Sequence, residues 1–229
     1  PKRTYTASCF ARDGRRAIKK IIARGRIPIV IGGTGFYIRA LVDDISIPEV
    51  PPNTKLRAQL EKKGVKELYR ILFYLDRARA KTVERENPRR LIRAIEIAKA
   101  LGKVPPLTHG AHAYNALWVG IQTDDKILKQ KIHARLLHRL KHGMITEAKR
   151  LHSSGLSFKR MESLGLEYRV LAQFLQKKIT RAELEEKLSV AIWQYARRQK
   201  TWFKHDARIQ WFTVREQKKI EKEIAKFLM

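Results

Sequence analysis

Apolar positions recur along most of the chain at the helical period, and short continuous apolar runs interrupt them. Phe10, Ala17, Ile18, Ile21 and Ile22 fall on one stripe that Ser8 is placed to cap and that stops at Gly25. Residues 27–31 follow as five apolar residues with Pro28 near the start, which predicts a buried parallel strand rather than a half-exposed one. A helix feeding a buried strand is the grammar of an α/β sheet. Gly32-Gly33-Thr34-Gly35 stands where that strand ends, and open α/β sheets bind ligands at the C-terminal ends of their strands.

Prolines 48, 51 and 52 make the next stretch loop-like, and a charged helical region then runs over about 54–101. Within it Asn87-Pro88 predicts a helix start, with Asn as the cap, Pro at the first helical position, and Leu91, Ile92, Ile95 and Ala98 on the apolar side. Pro105-Pro106 closes the region, and residues 117–121 read as a second buried strand. Leu128, Ile132, Leu136 and Leu140 then step by four along a helix ending near Gly143, with Lys131, Arg135 and Arg139 on a neighbouring face. A helical hairpin is expected over 146–174, around Gly155 and Gly165. A long helix over about 181–203 carries Leu184, Leu188, Ile192, Tyr195 and Trp202 on one side. A last strand over 209–213 and a charged, solvated helix over 216–226 complete the chain. The expected organisation is an α/β core made of 1–49 and 115–229 with a helical insertion at 50–114, and no internal repeat.

Charge changes the picture next. The chain has 50 Lys+Arg against 22 Asp+Glu, a formal +28 with a pI near 10.6. An excess of this size creates a long-range field that gathers polyanions, and it points to nucleic acid rather than to a small acidic metabolite. No apolar run approaches the ~18 residues that a bilayer-spanning helix needs, so no membrane crossing is expected. Cys9 is the single cysteine, which excludes a disulfide within the chain and suits the reducing cytoplasm. Residues 1–5 form no signal region, and the absence of an initiator Met leads us to expect that Pro1 is not the first residue of the gene.

Several constellations carry candidate chemistry. The glycine cluster at 32–35 is not a phosphate-binding loop, which needs G-x-x-x-x-G-K-[ST]; Gly102-Lys103 is followed by Val104 and has no partner glycine five residues upstream. Alone, such a cluster is a tight turn more often than a site. Arg89 and Arg90 place two guanidinium groups at a helix N-terminus, with Arg93 one turn on; cations are unfavourable there unless an anion is bound, which favours a phosphate contact over a merely solvated turn. Lys131, Arg135 and Arg139 repeat the theme, with an ordinary solvated face as the alternative. His109 with His112 and His138 with His142 have metal-like spacing but no third ligand nearby, and the second pair lies among cations, so no protein-held metal is expected. No Ser/His/Asp or Cys/His arrangement is legible from spacing. Trp193, Tyr195, Trp202 and Phe203 alternate with Arg197, Arg198 and Lys204; the cations are the candidates for RNA contact, and Tyr195 and Trp202 are expected in the core.

Taken in order, four segments resemble the tRNA dimethylallyltransferases, also called tRNA isopentenyltransferases. The first is Ile29-Val30-Ile31-Gly32-Gly33-Thr34-Gly35-Phe36-Tyr37-Ile38-Arg39-Ala40, and the second is Asn87-Pro88-Arg89-Arg90-Leu91-Ile92-Arg93-Ala94-Ile95-Glu96. The third is Lys131-Ile132-His133-Ala134-Arg135 followed by Gly143-Met144. The fourth is Gln194-Tyr195-Ala196-Arg197-Arg198-Gln199-Lys200-Thr201-Trp202-Phe203, with Arg208-Ile209-Gln210-Trp211-Phe212 after it. The resemblance covers essentially the whole chain.

It implies transfer of a dimethylallyl group from dimethylallyl diphosphate to N6 of the adenine 3′-adjacent to the anticodon, with Mg2+ and release of diphosphate. It also implies a nucleotide-kinase-like (P-loop NTPase-type) parallel sheet with a helical insertion. Thr34 is then expected to orient the adenine amine, with Gly32, Gly33 and Gly35 allowing close backbone approach and Tyr37 packing the channel wall. Lys131, Arg135, Arg198 and Gln199 are expected toward diphosphate or the tRNA backbone. Arg57, Asn87, Pro88, Arg89, Arg90 and Arg93 are expected on tRNA, as are Ser163, Leu164, Gly165, Leu166, Glu167 and Tyr168.

In the family a phosphate-binding loop and an Asp-containing segment precede the part matching Tyr5. Both are missing from this sequence, so the chain is expected to be N-terminally truncated and inactive by itself, with Mg2+ held mainly by diphosphate and the missing segment. Lys131 replaces the usual Arg, Ile192-Trp193 the usual Thr-Arg, and Leu166 and Tyr168 depart from a Gly-Tyr-x-Glu pattern. A cytoplasmic monomer is expected. The competing readings are a non-catalytic RNA-binding relative and a nucleotide kinase or ATPase of related fold.

Overall fold

A computed structural model of the chain describes residues 1, 4–108, 110 and 114–229. Helices α1 (Ala7–Ile22), α2 (Gly35–Val42), α3 (Thr54–Leu60), α4 (Val65–Leu75), α5 (Arg77–Thr82) and α6 (Pro88–Leu101) come first. Strand β1 (Trp118–Gln122) follows, then α7 (Asp125–Lys141), α8 (Met144–Ser153), α9 (Phe158–Leu164), α10 (Leu166–Leu175), α11 (Arg181–Lys204), β2 (Ile209–Thr213) and α12 (Gln217–Leu228). By packing, the chain divides into two compact units.

The first unit comprises 1–6, 29–35 and 115–229. Its strands pair in parallel, from Trp118 opposite Ile209 to Gln122 opposite Thr213. Its core is helical: α7 contributes Ile132, Leu136 and Leu140, α11 contributes Leu184, Leu188 and Ile192, and Met144, Leu156, Met161 and Leu171 fill the space between. Each such side chain taken fully out of water is worth about 1.5–3 kcal/mol, and this cluster is what fixes α11 in place. Helix α11 begins on a complete capping box, with Glu183 accepting from the Thr180 backbone and Thr180 accepting from the Glu183 backbone. The same stripe, buried along the N-terminal half by Leu184, Leu188 and Ile192, continues into the C-terminal half as Tyr195, Gln199 and Trp202.

The second unit comprises 7–28 and 36–114. Helix α6 starts as its sequence predicts: Asn87 caps it by accepting from the Arg90 N–H at 3.3 Å, and Pro88 opens the first turn. Leu91, Ile92, Ala94 and Ile95 join Leu60, Leu68, Leu72, Ala80 and Val83 in one apolar cluster. Packing therefore groups 7–28 and 36–49, expected with the sheet, with the helical unit instead.

Four further expectations are corrected. Residues 27–31 form no strand: Ile27, Ile29 and Ile31 are 59%, 80% and 92% exposed, because a parallel strand needs ladder neighbours and this run has none among the described residues. Strand β1 exists but is not buried, since a two-stranded sheet leaves Val119 and Ile121 exposed. The expected hairpin over 146–174 is three helices, because Gly155 and Gly165, both at positive φ, each end one. Helix α1 begins at Ala7, which puts Ser8 inside its first turn rather than at its cap.

Candidate functional site

Helix α11 offers Tyr195, Gln199 and Trp202 at i, i+4 and i+7, a spacing that lines them along one face. The glycine segment 32–35 lies on that face. A Cβ on Gly33 would run into the Gln199 side-chain amide, with its Cδ at 2.7 Å, and one on Gly35 would enter the Trp202 indole, with Cε2 at 2.7 Å. Between them the Thr34 hydroxyl lies 3.3 Å from the Tyr195 hydroxyl. Close approach to the rigid indole calls for glycine at 35, while at 33 it is the end of the flexible Gln199 side chain that would have to shift, and the spacing delivers the one intervening hydroxyl to the helix. Two motifs that stand some 160 residues apart in sequence meet here as one site.

Tyr195 and Trp202 are thus corrected from core to site: they are 36% and 41% exposed, while Ile192, Trp193 and Ala196 turn toward the core. The Arg198 guanidinium carbon lies 5.8 Å from the Tyr195 ring centroid, close enough for a cation–π contact that adds positive charge beside the hydroxyl pair. Gln199 joins the site directly.

Helix α7 runs antiparallel to α11 within the same unit, pinned where Lys200 donates to Asp125 and where His133 and Ser189 meet at 3.4 Å. Lys200 draws the Asp125 carboxyl below its ordinary range by this hydrogen bond first. Lys131 and Arg135 are exposed on α7. Farther along α7, His138 and His142 stack with ring centroids 3.8 Å apart, and the His142 Nδ1–H donates to the His138 carbonyl at 2.7 Å. That pair serves the helix end. His109 and His112 lie outside the described residues, and among the described residues no three His, Cys, Asp or Glu side chains group together as a metal site.

The 163–168 turn is largely occupied with its own neighbours. Ser163 donates to the Arg160 carbonyl at 2.7 Å, Arg139 donates to Glu167 at 2.5 Å, and Tyr168 donates to Glu147 at 2.5 Å. Burial first, and then this hydrogen bond to Glu147, pushes the Tyr168 hydroxyl up to about 12. Gly165 (φ 80°) and Leu166 (φ 31°) make the corner, and Leu166 packs on the core of its unit.

In the other unit Tyr37 packs on Phe10, ring centroids 5.5 Å apart. Arg89 and Arg90 are exposed at the first turn of α6, Arg90 beside Glu84 at 3.2 Å. Arg57 and Arg93 converge on a residue that sequence reasoning passed over, Glu96. Its side chain is 1% exposed and accepts from Arg57 Nε (2.9 Å) and Nη2 (2.7 Å), Arg93 Nη1 (2.5 Å) and the Asn53 N–H (2.6 Å). Burial opposes its ionisation, but Arg57, Asn53 and Arg93 together prevail and hold its carboxyl at about 2. The signal for it was present: an acid among buried positions of α6 with an arginine one turn before.

Comparison with known proteins follows the same lines. The IPP transferase family model matches residues 1–206. A tRNA dimethylallyltransferase 2 of Treponema denticola is 39% identical over 219 residues, 92% of this chain and 74% of that protein. A protein of the same description from Shewanella sediminis is 35% identical over 215 residues, 92% of this chain and 71% of its own length. The crystal structure of the full-length tRNA isopentenylpyrophosphate transferase from Bacillus halodurans superposes with a TM-score of 0.67 at 28% identity, covering 100% of this chain and 74% of that one.

Proposed function

The chain belongs to the IPP transferase family, and we propose that it forms the tRNA-binding and group-transfer portion of a cytoplasmic, monomeric tRNA dimethylallyltransferase. The carrying observation is the seating of the 32–35 loop on the Tyr195, Gln199 and Trp202 face, which presents Thr34 to Tyr195 with the Arg198 guanidinium over that ring. In the transfer, the N6 lone pair of adenine attacks the allylic carbon of dimethylallyl diphosphate. The carbon–oxygen bond breaks, diphosphate takes the electron pair, and one N6 proton departs to a base. A stacked adenine cannot present N6 to a buried carbon, so it must be flipped out of the loop.

We assign to the Thr34 hydroxyl the orientation of the adenine amine, by accepting one N6–H, and to Tyr195 the positioning of that hydroxyl. Lys131, Arg135 and Arg198 supply positive charge toward the departing diphosphate, where charge builds up most in the transition state. Arg89, Arg90, Arg93 and Arg57 take tRNA phosphates, the last two with the N–H groups they do not spend on Glu96. Among the described residues no three His, Cys, Asp or Glu side chains group together as a metal site; Mg2+ bound with the diphosphate would neutralise part of its charge. Among the described residues no helix is long and apolar enough to cross a membrane.

The test is incorporation of labelled dimethylallyl diphosphate into an anticodon stem-loop by the full-length gene product. Label is expected at the adenine 3′ of the anticodon and absent when that base is guanine. Stem-loop binding with no label under any condition favours the non-catalytic RNA-binding reading and overturns this one. In the same assay Thr34→Val is expected to lower kcat about 100-fold while Thr34→Ser keeps most of it, and Tyr195→Phe to lower it about 10-fold. Equal activity of Thr34→Val and wild type removes Thr34 from the mechanism.

A further inference from the structure

Helix α1 carries its charge in an arrangement that neither the fold nor the site explains. Residues 12–26 hold Arg12, Arg15, Arg16, Lys19, Lys20, Arg24 and Arg26 against the single acid Asp13. Arg15 turns inward, donating to Asp44 at 2.5 Å and to the Ala40 carbonyl at 3.4 Å. The others are exposed, and Arg12, Arg16, Lys19 and Lys20 fall within about 100° of the helix surface at 3.6 residues per turn. Asp13 lies at the start of this stripe, 3.4 Å from Arg12 and 4.0 Å from Arg16. Lys19, Lys20, Arg24 and Arg26 make no ion pair among the described residues.

Like charges at i, i+3 and i, i+4 repel; the helix C-terminus offsets part of this at Lys19 and Lys20, and the rest persists for as long as nothing neutralises the stripe. An ordinary solvated helix avoids this by mixing signs. Helix α12 does so: Lys218, Lys219, Lys222 and Lys226 are interspersed with Glu221 and Glu223, and Lys219 pairs with Glu216 at 2.6 Å. The partner that removes the repulsion on α1 is a polyanion whose charges repeat along a line. Each i, i+4 step from Arg12 to Arg16 to Lys20 advances about 6 Å, comparable with the separation of successive phosphates on a nucleic-acid strand. A membrane surface fits less well, because a helix lying on lipid inserts a broad apolar face, whereas Ala7, Ala11 and Ile18 of α1 are buried in the protein, Phe10 and Ile21 are half-buried, and Ile22 is its one large apolar side chain that is mostly exposed.

We propose that the α1 stripe, Arg12, Arg16, Lys19 and Lys20 continued by Arg24 and Arg26, is a second RNA-docking surface that grips the sugar–phosphate backbone of the substrate tRNA. It carries no base readout. It rests on the reading of tRNA as substrate and adds to that reading where the RNA body is held.

The experiment measures tRNA affinity of the full-length protein between 50 and 200 mM KCl for wild type and three variants. Arg16→Gln/Lys19→Gln/Lys20→Gln is expected to reduce the slope of log affinity against log salt by about 2–3, at roughly 0.9 per phosphate contact, and to weaken binding about 10- to 100-fold at 150 mM. Lys218→Gln/Lys222→Gln/Lys226→Gln removes the same net charge from α12 and is expected to stay within about threefold of wild type, since only the general field changes. Arg16→Lys/Lys19→Arg/Lys20→Arg keeps the charge and is expected to bind like wild type, which separates the stripe's role from damage to the helix. Equal losses in the two Gln variants overturn the proposal, because the stripe then acts only through net charge. Unchanged tRNA binding with loss of binding to phosphatidylserine vesicles overturns it in favour of lipid. A selective loss in the α1 variant of a protein that never labels RNA supports the surface while sinking the transferase reading.

Discussion

Replacing Gly35 by Ala is expected to lower dimethylallyl transfer by at least about 100-fold, the scale of loss that a misplacement near 1 Å produces. The added carbon falls inside the Trp202 indole, 2.7 Å from Cε2, at a residue whose own position is buried. The indole is a rigid ring on a helix held by the apolar core, so the loop is expected to rise from α11. Thr34 then loses the Tyr195 hydroxyl, 3.3 Å away, and with it its orientation. The effect belongs in kcat, because tRNA is held by cations elsewhere on the chain. Circular dichroism and thermal unfolding of the variant are expected to change little, since the 32–35 segment contributes almost nothing to either core. Adding Trp202→Ala to Gly35→Ala removes the obstacle and is expected to restore part of the lost rate, a non-additivity that marks contacting residues. Gly35→Ala with transfer within threefold of wild type, or no recovery in the double variant, means that the seating of this loop on α11 is not what positions Thr34.

That contact also marks the limit of what the sequence disclosed. Capping by Asn87-Pro88, the long α11 and the strand at 209–213 were all legible, because each depends on signals a few residues long. The pairing of the glycine loop with α11 was not. Helical period says which side of α11 wants cover, but it is silent on whether the cover is a core or a loop; so Tyr195 and Trp202 read as core. Residues 27–31 fail for a related reason: apolar composition expresses a preference for burial, while a strand also needs hydrogen-bonding neighbours that no local pattern supplies. Glu96 was hidden by its company. Among Ile95, Ile97 and Ala98 it looked like one polar position in an amphipathic helix, and its meaning required Arg57, 39 residues away, to fold back on it.

Glu96→Gln is expected to destabilise the helical unit by about 3 kcal/mol at pH 7, a large share of the roughly 5–15 kcal/mol that holds a domain together. Removing one partner of a buried ion pair usually costs more than the pair contributes. Here the loss is moderated because Arg57 and Arg93 keep about a third of their side chains in water, 36% and 34%. The pH dependence carries the diagnostic sign. Burial alone would raise the Glu96 carboxyl, but Arg57, the Asn53 N–H and Arg93 hold it at about 2, against 4.5 for the free side chain. A carboxyl depressed in the folded state contributes stability that is fully present above pH 4.5 and is lost as pH falls toward 2. The difference integrates to about 3 kcal/mol, matching the mutational figure. Urea unfolding at pH 7, 5 and 3 is therefore expected to show the wild type losing its advantage over Glu96→Gln between pH 4.5 and 2, with the two curves converging at the acid end. Profiles that stay parallel over that range mean that Glu96 is not the charge that holds Arg57 and Arg93, and that the expected orientation of those two guanidinium groups toward tRNA has another source. Convergence together with weakened stem-loop binding by Glu96→Gln at pH 7 ties the stability of the helical unit to its grip on RNA through one buried carboxylate.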